Sequence, residues 1–148
     1  MPGLERFTFM QLMVLHRHWI WANHMKRSLD DELARESPSR KGITLEEWFV
    51  GPGGMHMSLW YGLLFTVLDA MKQKRISLLE IDEDIKTIYE PLRLYRNAIF
   101  HAQPEYWSKK LLKVVMTKDS PAKIRRVHLE VGQSILDDLR RRHPPETA

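Results

Sequence analysis

The sequence predicts an all-α fold, an up-and-down helical bundle of four long helices with short helical pieces between them. Apolar residues recur at spacings of three and four along most of the chain, and strand signals are poor. The predicted connections are short, which favours antiparallel neighbours. The 148 residues fit a single domain over 1–148, in which the tail from 143 to 148 is predicted to be frayed.

The predicted first helix runs roughly from Leu4 to Ala34 and is apolar over much of its circumference. Such a helix is either central or faces a partner chain. The segment 36–42 contains Ser, Pro and Gly and is predicted to be a loop. Thr44 then opens a short helix as its N-cap, with Glu47 at the capping-box position, and "GPGG" at 51–54 ends it.

The second long helix is predicted from Met55 to about Arg75, with an apolar face formed by Leu59, Leu63, Val67 and Ala70. "SLLE" at 77–80 is typical of another capping box. The helix after it carries the stripe Ile81, Ile85, Ile88, Leu92, Tyr95 and Ile99. Pro91 lies inside this pattern and is expected to kink the helix.

Two prolines mark the remaining helix starts, since proline suits a helix's first turn. Pro104 predicts a short helix, and Ser120 with Pro121 predicts the last long one. That helix carries the stripe Ile124, Val127, Val131, Ile135 and Leu139.

Composition restricts the chemistry. The chain has no cysteine, which excludes disulfides, thiolate metal sites and a cysteine nucleophile, and suits a cytoplasmic location. No apolar run approaches the ~18 residues of a membrane span, and the N-terminus lacks the pattern of a signal peptide. We therefore expect no membrane partner.

The net charge of +4 is unevenly distributed. Residues 1–100 are neutral, with 13 Lys or Arg and 13 Asp or Glu, while residues 101–148 hold 10 and 6. Nine of these ten basic residues form three clusters: Lys109, Lys110 and Lys113; Lys123, Arg125 and Arg126; and Arg140, Arg141 and Arg142. Such clusters either attract a polyanion such as RNA or form solvated helix faces.

Metal motifs are missing. The seven histidines form neither Glu-x-x-His nor His-Glu-x-x-His, and His16 and His18 point to nearly opposite sides of a helix. A site assembled from three helices stays open, but the prediction is no metal and no cofactor. "GPGG" lacks the Lys-Ser/Thr of a phosphate loop.

One segment carries acid–base chemistry. "RNAIFH" places Asn97 and His101 four residues apart on one helix face, where the amide can orient the imidazole. Arg96 lies roughly 140° round the helix from His101. The two meet only if the helix ends near Phe100 and "HAQP" bends the histidine round, or if a second copy packs across a two-fold axis.

These residue types suit RNA cleavage by the neighbouring 2′-hydroxyl. His101 would act as general base or acid, and Arg96 would stabilise charge on the phosphate oxygens. Asn97 would be the orienting donor. Such a reaction needs no metal.

The segment resembles the HEPN superfamily, whose pattern is Arg, four to six residues and His, with Asn, Asp or His favoured after the Arg, in a small all-α bundle. "R-N-A-I-F-H" matches this pattern. The resemblance implies a metal-independent endoribonuclease, often a toxin or defence effector, that dimerises so that two motifs line one RNA cleft. Arg96, Asn97 and His101 would be its catalytic set. Toxins silenced by an antitoxin partner carry a Tyr two residues after the His, where this chain has Gln103.

Further binding residues are predicted around the motif. Lys109, Lys110 and Lys113 would hold backbone phosphates, and Tyr106 and Trp107 would stack bases. Trp60 and Tyr61 are either further stacking residues or core.

Three alternatives stay open. The trio can be purely structural, with Arg96 bonded to a carboxylate such as that of Glu90. The bundle can be a non-catalytic module that binds a nucleotide or a partner protein. It can also be a helical adaptor that buries its first helix in a complex.

Overall fold

The computed structural model describes residues 3–35 and 42–144, and within them the fold is all-α, as predicted. A short 3-10 turn covers Leu4–Arg6. Six helices follow, and we number them α1 to α6: α1 Phe9–Arg35, α2 Leu45–Val50, α3 Pro52–Gln73, α4 Asp82–Phe100, α5 Lys109–Met116 and α6 Ser120–Arg142. The predicted loop at 36–42 lies outside the described residues except for Gly42, and residues 145–148 of the predicted tail lie outside them too.

The four long helices, α1, α3, α4 and α6, pack together as a bundle. Helix α3 packs against α1, α2 and α4, while α6 packs against α1 and α4. The face predicted for α3 is only partly right, since Val67 is buried but Leu59, Leu63 and Ala70 are half-buried. Neighbours surround α3 on several sides, so its buried residues cover most of its circumference. They are Gly53, Gly54, Ser58, Trp60, Tyr61, Gly62, Leu64, Phe65, Val67, Leu68 and Met71.

The stripes of the last two long helices are better matched to the core. All five stripe residues of α6 are buried, and in the stripe of α4 only Ile85 and Ile99 are half-buried. Pro91 lies inside α4, is buried, and the helix continues through it.

Several helix starts differ from the predicted ones because side-chain caps decide them. Helix α1 begins at Phe9 rather than at Leu4, since Thr8 accepts from the Gln11 N–H at 3.1 Å while Gln11 Oε1 accepts from the Thr8 N–H at 2.9 Å. Helix α5 begins after Ser108 rather than at Pro104, because Ser108 Oγ accepts from the Leu111 N–H. The predicted caps Thr44 and Ser120–Pro121 are confirmed as helix starts.

In the "GPGG" segment only Gly51 lies outside a helix. Helix α2 ends before it, and α3 begins at Pro52, three residues earlier than predicted. A Cβ at Gly54 would lie 1.8 Å from the carbonyl oxygen of Phe49. Glycine therefore permits α2 to pack directly on the first turn of α3.

The "SLLE" segment is not a capping box. The helix start at Ile81 has no side-chain cap; instead the Asp82 carboxylate reaches back, accepting from the Leu78 N–H at 2.8 Å and from the Ser77 hydroxyl. The turn before α4 is thereby fixed to the first residue of the helix.

A buried polar network joins α1, α3 and α6 at the centre of the bundle. The side chain of His128 accepts a hydrogen bond from Trp60 Nε1 at Nδ1 (3.1 Å) and donates from Nε2 to Asn23 Oδ1 (3.0 Å). Trp19 stacks on the imidazole and donates to the carbonyl oxygen of His128 at 2.8 Å. Burial lowers the pKa of His128 to about 4, so the ring is neutral at physiological pH.

The two chain ends described by the structure meet at the base of the bundle. Arg142 donates to the carbonyl oxygens of Phe7 (2.7 Å) and Leu4 (2.9 Å) and pairs with the buried Asp138 at 2.8 Å. The ring of His143 packs against Phe9, with centroids 4.2 Å apart. Helix α6 thus holds the N-terminal turn in place.

Candidate functional site

The predicted motif lies on the last turn of α4 and at its exit. The helix ends at Phe100, and His101 has extended backbone angles, φ −127° and ψ 125°. The His101 N–H still bonds to the carbonyl oxygen of Asn97 at 3.0 Å. The chain therefore leaves the helix at the histidine, which is the first of the two arrangements considered from the sequence.

Among the described residues no side-chain hydrogen bond joins His101 to Arg96 or Asn97. Nη1 of Arg96 contacts Asn97 Oδ1 at 3.4 Å, a long hydrogen bond. The amide of Asn97 therefore faces the arginine, and the predicted Asn97–His101 side-chain contact is not made. Across the described residues, the exposed imidazole of His101 has no hydrogen-bond partner. Its two nitrogens are free to act on a ligand.

The structure does not show the predicted alternative in which Arg96 bonds to a carboxylate such as that of Glu90. Glu90, the carboxylate considered for it, binds Arg93 instead, with Arg93 Nε donating at 2.8 Å. No carboxylate in the described ranges pairs with Arg96, whose side chain is exposed. An unpaired guanidinium at a helix end is available to bind a phosphate.

The three basic clusters differ in how much of their charge is neutralised. In the second, Arg125 binds Asp30 (2.7 and 3.1 Å) and Arg126 binds Asp84 (2.6 Å); each arginine lowers the pKa of its carboxylate. In the third, Arg141 and Arg142 bind Asp138.

The first cluster is the exception. Lys109, Lys110 and Lys113 are exposed on α5, and none of them forms an ion pair among residues 3–35 and 42–144. On a helix Lys109 and Lys113 share a face, with Lys110 beside them. This cluster follows His101 closely in the chain, so three lysines without an ion pair in the described ranges come soon after the motif.

The segment between α4 and α5 is held by hydrogen bonds from aromatic side chains to α2. Trp107 Nε1 donates to Glu46 Oε1 at 3.0 Å, which lowers the pKa of that carboxyl, and the Tyr106 hydroxyl donates to the carbonyl oxygen of Glu46 at 3.4 Å. Phe49 completes a cluster with both rings, at centroid distances of 5.2 Å to Trp107 and 6.5 Å to Tyr106. The two rings are thereby oriented, and Tyr106 remains 55% exposed.

The other two aromatic residues considered for base stacking belong to the core. Trp60 and Tyr61 are buried inside the bundle, and burial raises the pKa of the Tyr61 hydroxyl to about 12. Neither ring offers a face to an external base.

A small pocket of about 190 Å³ lies beside the motif, between α2, α4 and the start of α5. It is lined by Phe49, Ala98, Ile99, Gln103, Glu105, Tyr106, Ser108 and Leu111. Gln103 connects it to the motif, because its Nε2 donates to the carbonyl oxygen of His101 at 2.9 Å.

The sequence did not indicate Phe49, Gln103 or Glu105 as pocket residues. Phe49 reaches the pocket through a tertiary contact across more than fifty residues. The nearest local signal was that Glu46 and Phe49 are three apart and share a face of α2.

A larger cavity of about 400 Å³ lies at the opposite end of α4. Its lining includes Leu68, Met71, Ile85 and Tyr89, with Lys72 at 3.9 Å over the Tyr89 ring. No histidine lines it, so it offers no imidazole of the kind that His101 provides.

Two kinds of structural feature are absent from the described ranges. No group of three or more His, Asp or Glu side chains is placed to hold a metal ion there. None of the helices in those ranges has the length and apolar character needed to cross a membrane.

Comparison with known proteins gave no further assignment. The chain matches no known protein family, no curated protein and no solved structure. Function is therefore argued from the geometry of the site.

Proposed function

We propose that this chain is a HEPN-like, metal-independent endoribonuclease that works as a homodimer, of the kind that serves as a toxin or defence effector. The observation that carries the proposal is the exit of α4. There an exposed guanidinium and an exposed imidazole lie in one six-residue segment, and a lysine cluster follows in the chain; in the part of the chain that the structure describes, none of these groups bonds to a carboxylate.

The chemistry follows from these groups. One His101 takes the proton of an RNA 2′-hydroxyl, and the 2′-oxygen attacks the adjacent phosphorus. The bond from phosphorus to the 5′-oxygen breaks, leaving a 2′,3′-cyclic phosphate and a 5′-hydroxyl that receives a proton from a second imidazole. Arg96 binds the phosphate oxygens as their charge increases, and Asn97 holds the guanidinium by accepting from it.

The second imidazole is the reason for a dimer. Among the described residues no hydrogen bond links Arg96 to His101, and the single histidine of one motif cannot serve as base and acid in the same step. A second copy packed on the exit of α4 would supply the second histidine and the facing arginine across a two-fold axis. Lys109, Lys110 and Lys113 would then hold the RNA backbone on either side.

The test is incubation of the purified protein with a mixed RNA pool in EDTA, followed by identification of the product ends. We expect cyclic-phosphate ends from the parent and a loss of about 10²–10⁴-fold in rate for His101→Ala, the typical contribution of a general base. The matched control is His24→Ala, another exposed histidine, on α1, which should cleave like the parent. Cleavage by His101→Ala at the parent's rate would contradict the mechanism.

A second candidate is a non-catalytic module that binds a nucleotide or a partner protein with the same side chains. The lack of a hydrogen bond between Arg96 and His101 among the described residues favours it, since binding needs no paired acid and base. In that case Arg96→Ala weakens binding of a nucleotide or RNA, and no cleavage product forms at any protein concentration.

A further inference from the structure

The pocket beside the motif has the features of a site for one flat ring system. Its volume of about 190 Å³ is below the ≈ 300–1,000 Å³ of sites for drug-sized ligands, so it suits a single base and not a whole nucleotide. Phe49 and Tyr106 form aromatic walls, and Ala98, Ile99 and Leu111 add apolar surface. Aromatic walls of this kind stack nucleobases, because every base has a π-face.

The polar groups at the rim favour a base that donates hydrogen bonds. Glu105 is exposed and lines the pocket, and a carboxylate only accepts hydrogen bonds. Gln103 uses its amide N–H on the carbonyl oxygen of His101, which leaves its Oε1 as an acceptor. Guanine is the base that presents two adjacent donors, N1–H and the exocyclic amine, to a carboxylate.

The surrounding charge favours a nucleotide over a free cation. An aromatic pocket with a carboxylate also suits a quaternary ammonium ion. Here Lys109, Lys110 and Lys113 lie on the next helix without carboxylate partners among the residues the structure describes, and they would repel a cation but attract a phosphate.

We propose that this pocket binds a guanine base of the RNA and so determines the position at which the RNA is cleaved. Tyr106 stacks on the base and Glu105 accepts from its N1–H and amine. The RNA source of this guanine rests on the proposed function. Gln103 lines the pocket and also donates to the carbonyl oxygen of His101. A base bound in the pocket therefore places the adjoining phosphate near the imidazole.

The experiment measures binding without cleavage. The full-length protein in EDTA is titrated into fluorescent 2′-O-methyl uridine hexamers that carry one central G, A, C or U, and anisotropy is recorded. We expect the G hexamer to bind about tenfold more tightly than the others, the size expected of one stacked and bidentate base. In the Tyr106→Ala variant this preference should disappear, while Tyr106→Phe, which keeps the ring, should retain it.

The variant Glu105→Gln tests the hydrogen bonds separately. It keeps the size of the side chain but replaces one acceptor oxygen by a donor, so the G hexamer should fall to the affinity of the other three. Both residues are exposed, so the fold should survive either change. Equal affinity of the parent for all four hexamers, or a G preference that survives Tyr106→Ala, would overturn the proposal.

The two proposals fail separately. The 2′-O-methyl hexamers cannot be cleaved, so binding is measured independently of cleavage. A G preference in a protein that never cuts RNA would support the guanine pocket and contradict the ribonuclease. Cleavage with no G preference would support the ribonuclease and contradict the guanine pocket. Binding of 5′-GMP as tight as that of the G hexamer would overturn the assignment to RNA, because the lysines should add affinity for a longer backbone.

Discussion

His128 illustrates how much a single residue contributes at the centre of this bundle. Its Nδ1 accepts from Trp60, so a proton on that nitrogen would face the indole N–H instead of bonding to it. Protonation therefore costs the hydrogen bond in addition to the burial of a charge. No local sequence signal separates it from the other histidines, since its partners Asn23 and Trp60 are 105 and 68 residues away.

The lowered pKa of His128 makes stability fall on acidification. Above pH 6.5 the ring is neutral in both the folded and the unfolded state, and its full contribution is present. Between pH 6.5 and about 4 only the unfolded state takes the proton, so the free energy of unfolding should fall by about 3 kcal/mol over this range. Urea unfolding at several pH values between 7.5 and 4.5 measures it.

The control for this prediction is His128→Gln, which cannot titrate but can still donate to Asn23. The other histidines titrate in both proteins, so the difference between the two pH profiles isolates His128. The parent's profile should be the steeper one below pH 6.5. Parallel profiles would show that the ring is not held neutral.

Among the helices, those with one buried face were the ones that hydrophobic spacing predicted well. The stripes of α4 and α6 match the core because each helix turns one side to the bundle. The face predicted for α3 was only partly right because neighbours surround that helix on several sides, so periodicity carries little information there. The start of α1 was missed because the cap formed by Thr8 and Gln11 is a local hydrogen-bond pattern that apolar spacing does not record.

The junction of α2 and α3 gives a prediction about helix packing. In Gly54→Ala the new Cβ would lie 1.8 Å from a backbone oxygen of Phe49, and no side chain can move to relieve the clash. We expect a loss of about 1–3 kcal/mol of stability, typical of overpacking. Chemical denaturation measures it. Because Phe49 lines the proposed guanine pocket, the preference for the G hexamer should weaken as well.

Gly51→Ala is the matched control at the same junction. Its Cβ would lie 3.4 Å from the carbonyl oxygens of Glu47 and Trp48, and its φ of −83° suits any residue. The substitution should cost under about 1 kcal/mol, as an N-cap change from Gly to Ala does. If the two variants were equally stable, the close approach at Gly54 would not matter.

For the whole molecule, the proposed function requires a dimer that pairs through one particular surface. Helix α1 packs against α3 and α6, and α4 packs against α3, α5 and α6, so α1 and α4 stand at diagonal corners of the bundle. Helix α1 exposes its own apolar stripe, formed by Met10, Met13, Val14, Ile20 and Trp21. Pairing through that stripe would leave the two "RNAIFH" segments far apart, whereas pairing at the exit of α4 would bring them together.

The sequence could not decide between these surfaces. It predicted that an apolar α1 is central or faces a partner, and the structure places it at the outside with one face exposed. It also placed the arginine and the histidine in one short segment, but among the described residues Arg96 bonds to Asn97 and not to His101. Which face pairs depends on the assembled shape of two molecules, and no local pattern records that.

The absence of cysteine allows a direct test, because any single introduced thiol is unique in the chain. Ala102→Cys places it on the exposed residue after His101, and Val14→Cys places it on the exposed stripe of α1. If the dimer forms at the exit of α4, a short bis-maleimide should link the Ala102→Cys chains in dilute solution and leave the Val14→Cys chains monomeric on a denaturing gel. The reverse pattern would place the motifs apart and contradict a shared catalytic site, since each His101 would then lack the second imidazole that the proposed reaction requires.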